Sequence, residues 1–292
     1  MKLPPRSKAV FHLIKIVLAS GAVLGLTDLM PVVKIAVAEM RHILLQSTTS
    51  TLNSGLYDVL LPTFTKTSGI EVRVVAVGSG QALRNAANCD GDLVLAHAPE
   101  DEKTFMDKGF GERHLAVMQN HFVLLGPADD PAKIRDAKTV SAALRSIAKS
   151  GARFLSRGDD SGTHSRERRL WAEADIDLTA ASGSWYLEAG QGMGASINLA
   201  VQLEAYLLSD ISTWLAFGNK AGHRLLFEDA SDSLLNRYSL LTVNPAHCPS
   251  ADHDGANQFA NWLTSDEGQK EIADFTLNGQ QMFTPIKNGS AK

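Results

Sequence analysis

The chain has 292 residues, of which 44% are hydrophobic and 21% are charged, and this is the composition of an ordinary globular protein. Its formal net charge is −4, but residues 1–38 carry +4, so residues 39–292 carry −8. A protein that binds nucleic acid should be basic over its working domain. The charge therefore argues against a nucleic-acid partner, and the length suggests one large domain or two of moderate size.

The first 38 residues have the pattern of an export signal. Basic residues precede the apolar run 16–26, whose eleven residues are too few to span a membrane and suit the core of a signal peptide. The triplet 36–38, Ala-Val-Ala, has the small-x-small form of a cleavage site. We expect a cleaved signal peptide at 1–38 and a periplasmic protein, with an uncleaved anchor or a structural segment as alternatives.

The chain has two cysteines, Cys89 and Cys248, and neither lies just after the apolar run. We therefore do not expect a lipoprotein. Two cysteines allow one disulfide bridge in an oxidising compartment, but the sequence favours two unconnected thiols. His247, Cys248 and His253 lack a second paired ligand motif, so we predict a plain loop there and no metal-cation site.

After residue 40, short aliphatic runs typical of strands alternate with segments of helical spacing. The first block predicts strands at 42–46, 71–77, 92–96, 115–118 and 121–125, with helices at 52–64 and 100–108. A turn-rich stretch at 126–131 ends this block. The second block predicts strands at 153–156, 185–187, 205–208 and 238–243, with helices at 132–149, 163–174, 195–203 and 210–217. Helices at 257–263 and 267–275 follow, so two α/β lobes with a ligand cleft between them are expected.

Four segments share one design, in which a strand is followed by Ser, Thr or Gly and then by the start of a helix. They lie at 47–51, 78–80, 157–163 and 190–194. The N-terminus of a helix offers unpaired backbone N–H groups that favour anions, and hydroxyl groups add further donors. Taken singly, each segment is better explained as a helix cap or a turn. The third is different, because Arg157 adds a charged fork suited to an oxyanion and Thr163 stands at the start of a helix.

The signs of an enzyme are weaker. The segment 158–162, Gly-Asp-Asp-Ser-Gly, superficially resembles a motif of trypsin-like proteases, but it has an extra Asp and no all-β pattern around it. His164 lies close to Ser161 in sequence, which is no evidence that it acts as a base toward that hydroxyl. The glycines at 190–194 have the wrong spacing for a dinucleotide-binding fingerprint. We therefore expect no catalytic residues and no cofactor, and keep a serine hydrolase as a remote alternative.

Several linked motifs resemble the TupA family, which are tungstate-binding periplasmic components of ABC transporters. They are Gln-Ser-Thr-Thr-Ser-Thr at 46–51, Val-Gly-Ser-Gly-Gln-Ala-Leu at 77–83, His-Ala-Pro-Glu at 97–100, Arg-Gly-Asp-Asp-Ser-Gly-Thr at 157–163 and Gly-Gln-Gly-Met-Gly at 190–194. The match runs in order from about residue 41 to residue 287.

The resemblance implies an α/β fold of the type II periplasmic binding-protein class, with two lobes joined by two crossover strands and a ligand cleft between them. We expect lobe I at 39–125 and 241–292 and lobe II at 126–240, with crossings near 121–126 and 240–244. The resemblance also implies the residues that would bind the oxyanion, which are Thr48, Thr49, Ser50, Ser79, Arg157, Ser161, Gly162, Thr163, Gly192 and Met193.

The sequence departs from the family at two positions. Ser79 stands where Thr is usual, and Ile211 stands where the family commonly has Arg, so any contribution of that Arg is in doubt. The resemblance implies an extracytoplasmic binding protein that captures tungstate, or molybdate, and delivers it to an ABC permease. The alternative is a binding protein of the same fold for phosphate or another oxyanion, because Asp159 or Asp160 could accept the proton that phosphate retains.

Overall fold

The computed structural model describes residues 40–286, so the predicted signal peptide at 1–38 lies outside the described residues. Parallel strands connected by helices form the first part of the fold. In chain order the elements are β1 (His42–Thr48), α1 (Thr49–Asn53), α2 (Tyr57–Ser68), β2 (Glu71–Val77), α3 (Ser79–Ala87), β3 (Leu93–Ala96) and α4 (Pro99–Asp107). The strand β1 pairs in parallel with both β2 and β3.

A long strand then carries the chain into a second group of elements. These are β4 (Gly111–Pro127), a 3-10 turn (Ile134–Asp136), α5 (Val140–Ser150), β5 (Phe154–Ser156), α6 (Gly162–Glu173), β6 (Tyr186–Glu188), α7 (Met193–Leu203), β7 (Leu207–Asp210), α8 (Ile211–Ala216) and β8 (His223–Phe227). The chain returns to the first group through β9 (Leu235–Val243), α9 (His253–Leu263), α10 (Asp266–Asp274) and three two-residue strands, β10 (Thr276–Leu277), β11 (Gln280–Gln281) and β12 (Thr284–Pro285).

The strand β4 belongs to two groups of paired strands. Its N-terminal part pairs with β9 and β12 in the order β12-β4-β9-β3-β1-β2. From Phe122 onward it pairs with β7 and β8 instead. Beside β7 lies the parallel pair β5–β6, because Leu155 donates to the carbonyl of Tyr206 and Tyr206 donates to the carbonyl of Arg153.

The residues at which the chain passes from one group of strands to the other come earlier in the sequence than the predicted lobe boundaries. The predicted boundaries follow residues 125 and 240, whereas β4 changes partners at Phe122 and β9 pairs with β4 from Leu235 onward. The turn signals at 126–131 mark the end of β4, not the point at which its partners change. We define lobe I as residues 40–121 and 235–286, and lobe II as residues 122–234.

Helices cover both faces of the strands in each lobe. Along the crossing part of β4, Phe122 and Leu124 pack into one apolar cluster of lobe II while Val123 and Leu125 pack into another. This alternation follows from the two-residue period of a strand. Lobe I likewise has one cluster with α2, α9 and α10 and a second with α3 and α4. Each lobe therefore has a layer of strands between two layers of helices. Because the helices cover the faces of the strands, the carboxyl ends of the strands remain available for a binding site.

Several local expectations change in the structure. The single helix predicted at 52–64 is two helices, α1 and α2, and the two strands predicted at 115–118 and 121–125 are one strand, β4. The helix predicted at 132–149 starts at Val140, after a separate 3-10 turn, and Thr139 caps it by accepting a hydrogen bond from the amide of Ala142. The strand β8 was not predicted from its sequence. Between residues 40 and 286, no helix combines the length and the apolar character needed to cross a membrane.

Cys89 and Cys248 form a disulfide bridge in lobe I, so the prediction of two unconnected thiols is wrong. The sequence could not show this, because 159 residues separate the two cysteines. Cys89 follows α3 and Cys248 follows β9, and the pairing of β3 with β9 brings these two ends together. His247 lies beside the two sulfur atoms, but both sulfurs are bonded to each other and therefore do not offer the thiolates that bind zinc.

A carboxyl group is buried in lobe II. Glu167 of α6 is 2% exposed, and its Oε1 accepts a hydrogen bond of 2.7 Å from the hydroxyl of Tyr186. Burial raises the pKa of Glu167 from 4.5 to about 7, and hydrogen bonds from Tyr186 and Ser156 offset only part of this effect. The protonation of Glu167 therefore couples the stability of lobe II to pH.

The disulfide should stabilise the folded chain by restricting the unfolded chain. Replacing both cysteines, as Cys89→Ala with Cys248→Ala, should lower the free energy of unfolding by about 2–5 kcal/mol, measured by urea denaturation. A reducing agent should lower the stability of the wild type and leave the double variant unchanged. Equal unfolding midpoints for oxidised and reduced wild type would contradict this role.

Glu167 should make stability fall as pH rises. Because its folded pKa of about 7 exceeds 4.5, the folded state retains a proton that the unfolded state has lost between these values. The free energy of unfolding should therefore decrease across this window and level off above it. Glu167→Gln keeps the size and the acceptor and should raise stability at pH 8 by up to about 3 kcal/mol, with little change at pH 4.5. Glu173→Gln, an exposed change on the same helix, serves as the control and should show no such gain.

Candidate functional site

Arg157 lies at the junction of the two lobes, directly after β5. It is 2% exposed, and its guanidinium group faces hydroxyl groups from both lobes. Its Nη1 donates to Ser50 Oγ and to Thr163 Oγ1 at 3.5 Å, and its Nη2 donates to Thr49 Oγ1 at 3.5 Å. These contacts are at the long limit of hydrogen bonds. The Arg157 fork is therefore held near three hydroxyls without being tightly bound by any of them.

Arg157 also forms an ion pair, but one of its nitrogen atoms has no hydrogen-bond partner among residues 40–286. Its Nη2 lies 2.5 Å from Asp159 Oδ2, forming a partly buried ion pair within the same turn. Its Nε is buried and has no hydrogen-bond partner among residues 40–286. A buried, charged donor without a partner is costly in the absence of a ligand. Arg157 thus retains donor capacity that a bound anion could use.

Four helices begin around Arg157, as the four sequence segments predict. Their capping residues are Thr48 for α1, Gly78 for α3, Ser161 for α6 and Gly192 for α7. Two of these helices belong to lobe I and two to lobe II. Because backbone N–H groups at the start of a helix have no partner within the helix, this arrangement gathers donors from both lobes.

Two of the predicted lobe I hydroxyls have structural partners of their own. Thr48 Oγ1 accepts from the amide of Thr51 at 3.3 Å and also contacts the Thr51 hydroxyl. Ser79 is fully buried as the first residue of α3, and its Oγ accepts from the amide of His97 at 3.5 Å. Thr48 therefore acts first as a helix cap, whereas the contact of Ser79 is long and leaves its hydroxyl available.

The predicted lobe II residues also differ in what they can offer. Ser161 Oγ accepts from the amide of His164 and caps α6. A Cβ on Gly192 would lie 3.5 Å from Thr49 Oγ1, so the Gly192 backbone faces the α1 segment of lobe I. The side chain of Met193 is fully buried in an apolar cluster of lobe II. Met193 can therefore contribute only its backbone amide to a ligand.

A chain of buried polar side chains lies beside this site and was not predicted from the sequence. His97 Nδ1 is 2.9 Å from Asn236 Oδ1, and Asn236 donates to Asn120 Oδ1 at 2.8 Å. Asn120 donates to Ser212 Oγ, and Ser212 donates to Asp210 Oδ1. The chain runs from the end of β3 across β9 and β4 to the start of α8. Its amides, Asn120 and Asn236, lie just outside the predicted strands and their partners are distant in sequence, so no local pattern indicated this chain.

His97 is the titratable member of this chain that lies in lobe I. Burial lowers its pKa, and the charge of Arg157 lowers it further, while Asp210 and Asn236 raise it in part. Its Nε2 is buried without a hydrogen-bond partner among the described residues. His97 is therefore held as a neutral ring, and Arg157 is the cation that faces the site.

The position that departs from the family, Ile211, is the first residue of α8. Its side chain packs into an apolar cluster of lobe II, and the preceding Asp210 caps α8 by accepting from the amide of Thr213 at 2.9 Å. Thr213 Oγ1 then donates to the carbonyl of Ser50 at 3.4 Å, which links α8 to the α1 segment. Contact between these segments is thus made without an arginine at 211.

Serine hydrolysis has no support in the geometry. Ser161 Oγ accepts from a backbone amide, and His164 Nδ1 accepts from the amide of Asp160 at 3.1 Å. The Nδ1 of His164 is therefore engaged by the backbone, and Ser161 is engaged as a helix cap. A nucleophile requires its base within hydrogen-bonding distance, and this turn instead provides donors.

A cavity lies between the lobes beside α6. It has a volume of about 400 Å³, and its lining includes His97, Glu100, Arg166, Arg169 and Arg237. Arg169 of lobe II forms an ion pair with Glu100 of lobe I across it. The cavity therefore flanks the Arg157 site, and a charged interlobe contact stands beside it.

Comparison with known proteins agrees with this architecture. Residues 36–267 match the family model of the PBP superfamily domain. The tungstate-binding protein TupA of Peptoclostridium acidaminophilum is 39% identical over 247 residues, which cover 83% of this chain and 85% of that protein.

Two solved structures are also similar over most of the chain. The tungstate ABC transporter structure from Geobacter sulfurreducens is 43% identical, with 80% of this chain and 98% of that chain covered and a TM-score of 0.74. The tungstate-binding protein TupA from Desulfovibrio alaskensis G20 is 43% identical, with coverages of 85% and 99% and a TM-score of 0.72. The predicted fold class is confirmed, and these relatives are solute-binding proteins, not enzymes. The chain belongs to the PBP superfamily and, within it, to the TupA family.

Proposed function

We propose that this protein is an extracytoplasmic solute-binding protein that captures tungstate and delivers it to an ABC permease. The observation that carries the proposal is the buried Arg157 fork, which faces hydroxyls of both lobes and has an unpartnered Nε. Export through a signal peptide at 1–38 and the permease partner are part of the proposal. Both are supported by the sequence pattern and by the relatives.

The donors around Arg157 suit an anion that carries no proton. Tungstate and molybdate are tetrahedral dianions that are fully deprotonated near neutral pH, so their site requires donors and no acceptor. The proposed ligands supply hydroxyl groups, backbone amides at helix starts and one guanidinium. They are Thr48, Thr49, Ser50, Ser79, Arg157, Ser161, Gly162, Thr163, Gly192 and the backbone of Met193.

Local donors are needed because the overall charge opposes binding. Residues 39–292 carry a net charge of −8, so long-range attraction does not draw a dianion to this protein. Hydrogen bonds and one cation in a buried place are stronger than the same groups in water, since the effective dielectric is lower there. Burial of Arg157 is therefore central to the proposal.

Asp159 is the specific observation in favour of phosphate as a second candidate. Its carboxylate lies beside Arg157 and is 15% exposed, so it could accept a proton from a protonated anion. Both of its oxygens already accept hydrogen bonds, Oδ1 from the amide of Ser161 and Oδ2 from Arg157. Asp160 is 77% exposed and does not face Arg157 in this way. This engagement of Asp159 favours the deprotonated anion.

A ligand panel separates the candidates. Binding to the folded state raises thermal stability by mass action, so tungstate should raise the melting temperature of the mature protein more than sulfate or phosphate does. Isothermal calorimetry with tungstate, molybdate, sulfate and phosphate should give the same order. A shift with phosphate and none with tungstate would favour the second candidate and refute the first.

Arg157→Ala should weaken tungstate binding by about 2–5 kcal/mol, because the substitution removes the desolvated charge partner of the anion. Competition calorimetry at fixed pH and salt measures the change. Arg153→Ala is a matched control, since it removes the same charge four residues earlier at an exposed contact to the carbonyl of Leu203. Wild-type affinity in the Arg157 variant would remove this residue from the site.

A further inference from the structure

We propose that Gly162 sets the affinity of the anion site, because its lack of a side chain allows the main chains of the two lobes to come into contact. This inference rests on the proposed function, since it concerns the width of the same anion site. Gly162 is the first residue of α6 in lobe II, and it stands between two proposed ligands, Ser161 and Thr163. Its role in the proposal is to position the donors of lobe II against those of lobe I.

Gly162 lies unusually close to the main chain of lobe I. A Cβ at this position would lie 2.5 Å from the carbonyl oxygen of His97 and 3.0 Å from His97 Nδ1, and His97 belongs to lobe I. The φ angle of Gly162 is not in the positive range that favours glycine. The absence of a side chain at 162 is therefore required by the interlobe contact and not by the local backbone.

His97 cannot move aside to admit a methyl group. The residue is 3% exposed, its Nδ1 contacts Asn236 Oδ1 at 2.9 Å, and its ring stacks on Tyr238 with centroids 4.8 Å apart. The clashing oxygen is a main-chain atom directly after β3, which is paired with β9. An added methyl group at 162 must therefore be accommodated by separating the lobes.

A second close contact has its glycine in lobe I and the contacted carbonyl group in lobe II. Gly80 follows Ser79 in α3 of lobe I, and a Cβ there would lie 2.9 Å from the carbonyl oxygen of Asp160 in lobe II. Its φ is not positive either. The turn between Arg157 and Thr163 is thus pressed against lobe I at two points, each next to a proposed ligand residue.

The consequence for binding follows from the distances. Restoring ordinary contact at Gly162 requires the lobes to part locally by about 1 Å. Donors from Ser50 and Thr49 in lobe I and from Arg157 and Thr163 in lobe II would then no longer reach one small anion together. The methyl group opposes the closed form and leaves an open form unaffected, so it lowers the fraction of protein that is competent to bind.

The experiment compares three alanine variants that differ in clearance. Gly162→Ala has the closest contact at 2.5 Å and Gly80→Ala the next at 2.9 Å, while Gly194→Ala is the control. Gly194 is also an interlobe glycine in a helix, but its Cβ would lie 3.7 Å from Asn53 of lobe I and 3.6 Å from Phe217, which is ordinary contact. Gly194 is not among the proposed ligands.

Tungstate affinity should fall at least about tenfold in Gly162→Ala, less in Gly80→Ala and not measurably in Gly194→Ala. Alanine is favoured over glycine inside a helix, so the melting temperature of the ligand-free Gly162 variant should not fall with its affinity. In small-angle X-ray scattering, tungstate should compact the wild type and the Gly194 variant but not the Gly162 variant.

The outcomes separate this inference from the proposed function. If the wild type itself does not bind tungstate, the proposed function fails. If the wild type binds and Gly162→Ala binds equally well, or if Gly194→Ala loses as much affinity as Gly162→Ala, the role of Gly162 is refuted and the proposed function stands. Should Gly162→Ala fail to fold, the comparison of Gly80→Ala with Gly194→Ala decides the question by the same readouts.

Discussion

The burial of one guanidinium group between two lobes is the constraint on which the site depends. Arg157 is 2% exposed, and its nearest neutral partners are hydroxyls at the limit of hydrogen-bonding distance. A charge removed from water needs compensation, and Asp159 pairs with Nη2 but leaves the buried Nε without a hydrogen-bond partner among residues 40–286. The hydroxyls and helix starts gathered around Arg157 supply more donors and no further negative charge. This arrangement of donors supports the proposed binding of an anion beside Arg157.

Close contact between the main chains of the two lobes fixes the positions of the groups around Arg157. Where Gly162 meets His97 and Gly80 meets Asp160, main-chain atoms come nearer than a side chain would permit. These contacts leave no room for an added side chain, because protein interiors are closely packed and have little free space. The buried amides of Asn120 and Asn236 lie where β4 and β9 pass beside the site, so the polar chain they form holds the neighbouring strands in register.

Much of the fold and part of the site could be predicted from the sequence. Most strands and helices lie close to where periodicity placed them, and all four helix starts predicted from Ser, Thr and Gly lie around Arg157. The features that the sequence could not reveal involve partners that are distant in sequence. The Cys89–Cys248 bridge, the point at which β4 changes partners and the chain of polar groups from His97 to Asp210 all depend on tertiary contacts.

By itself the sequence determined what is local: the α/β alternation, the caps that start helices after strands, and the Arg-Gly-Asp-Asp-Ser-Gly-Thr turn that presents Arg157. Local patterns suffice there because caps and strand periods involve residues only a few positions apart. Only the tertiary structure decided that Ser50 lies opposite Arg157 and that Gly162 meets the backbone of His97. Those pairs are 107 and 65 residues apart in the chain, and their contact results from the packing of two lobes, which no short stretch of sequence encodes.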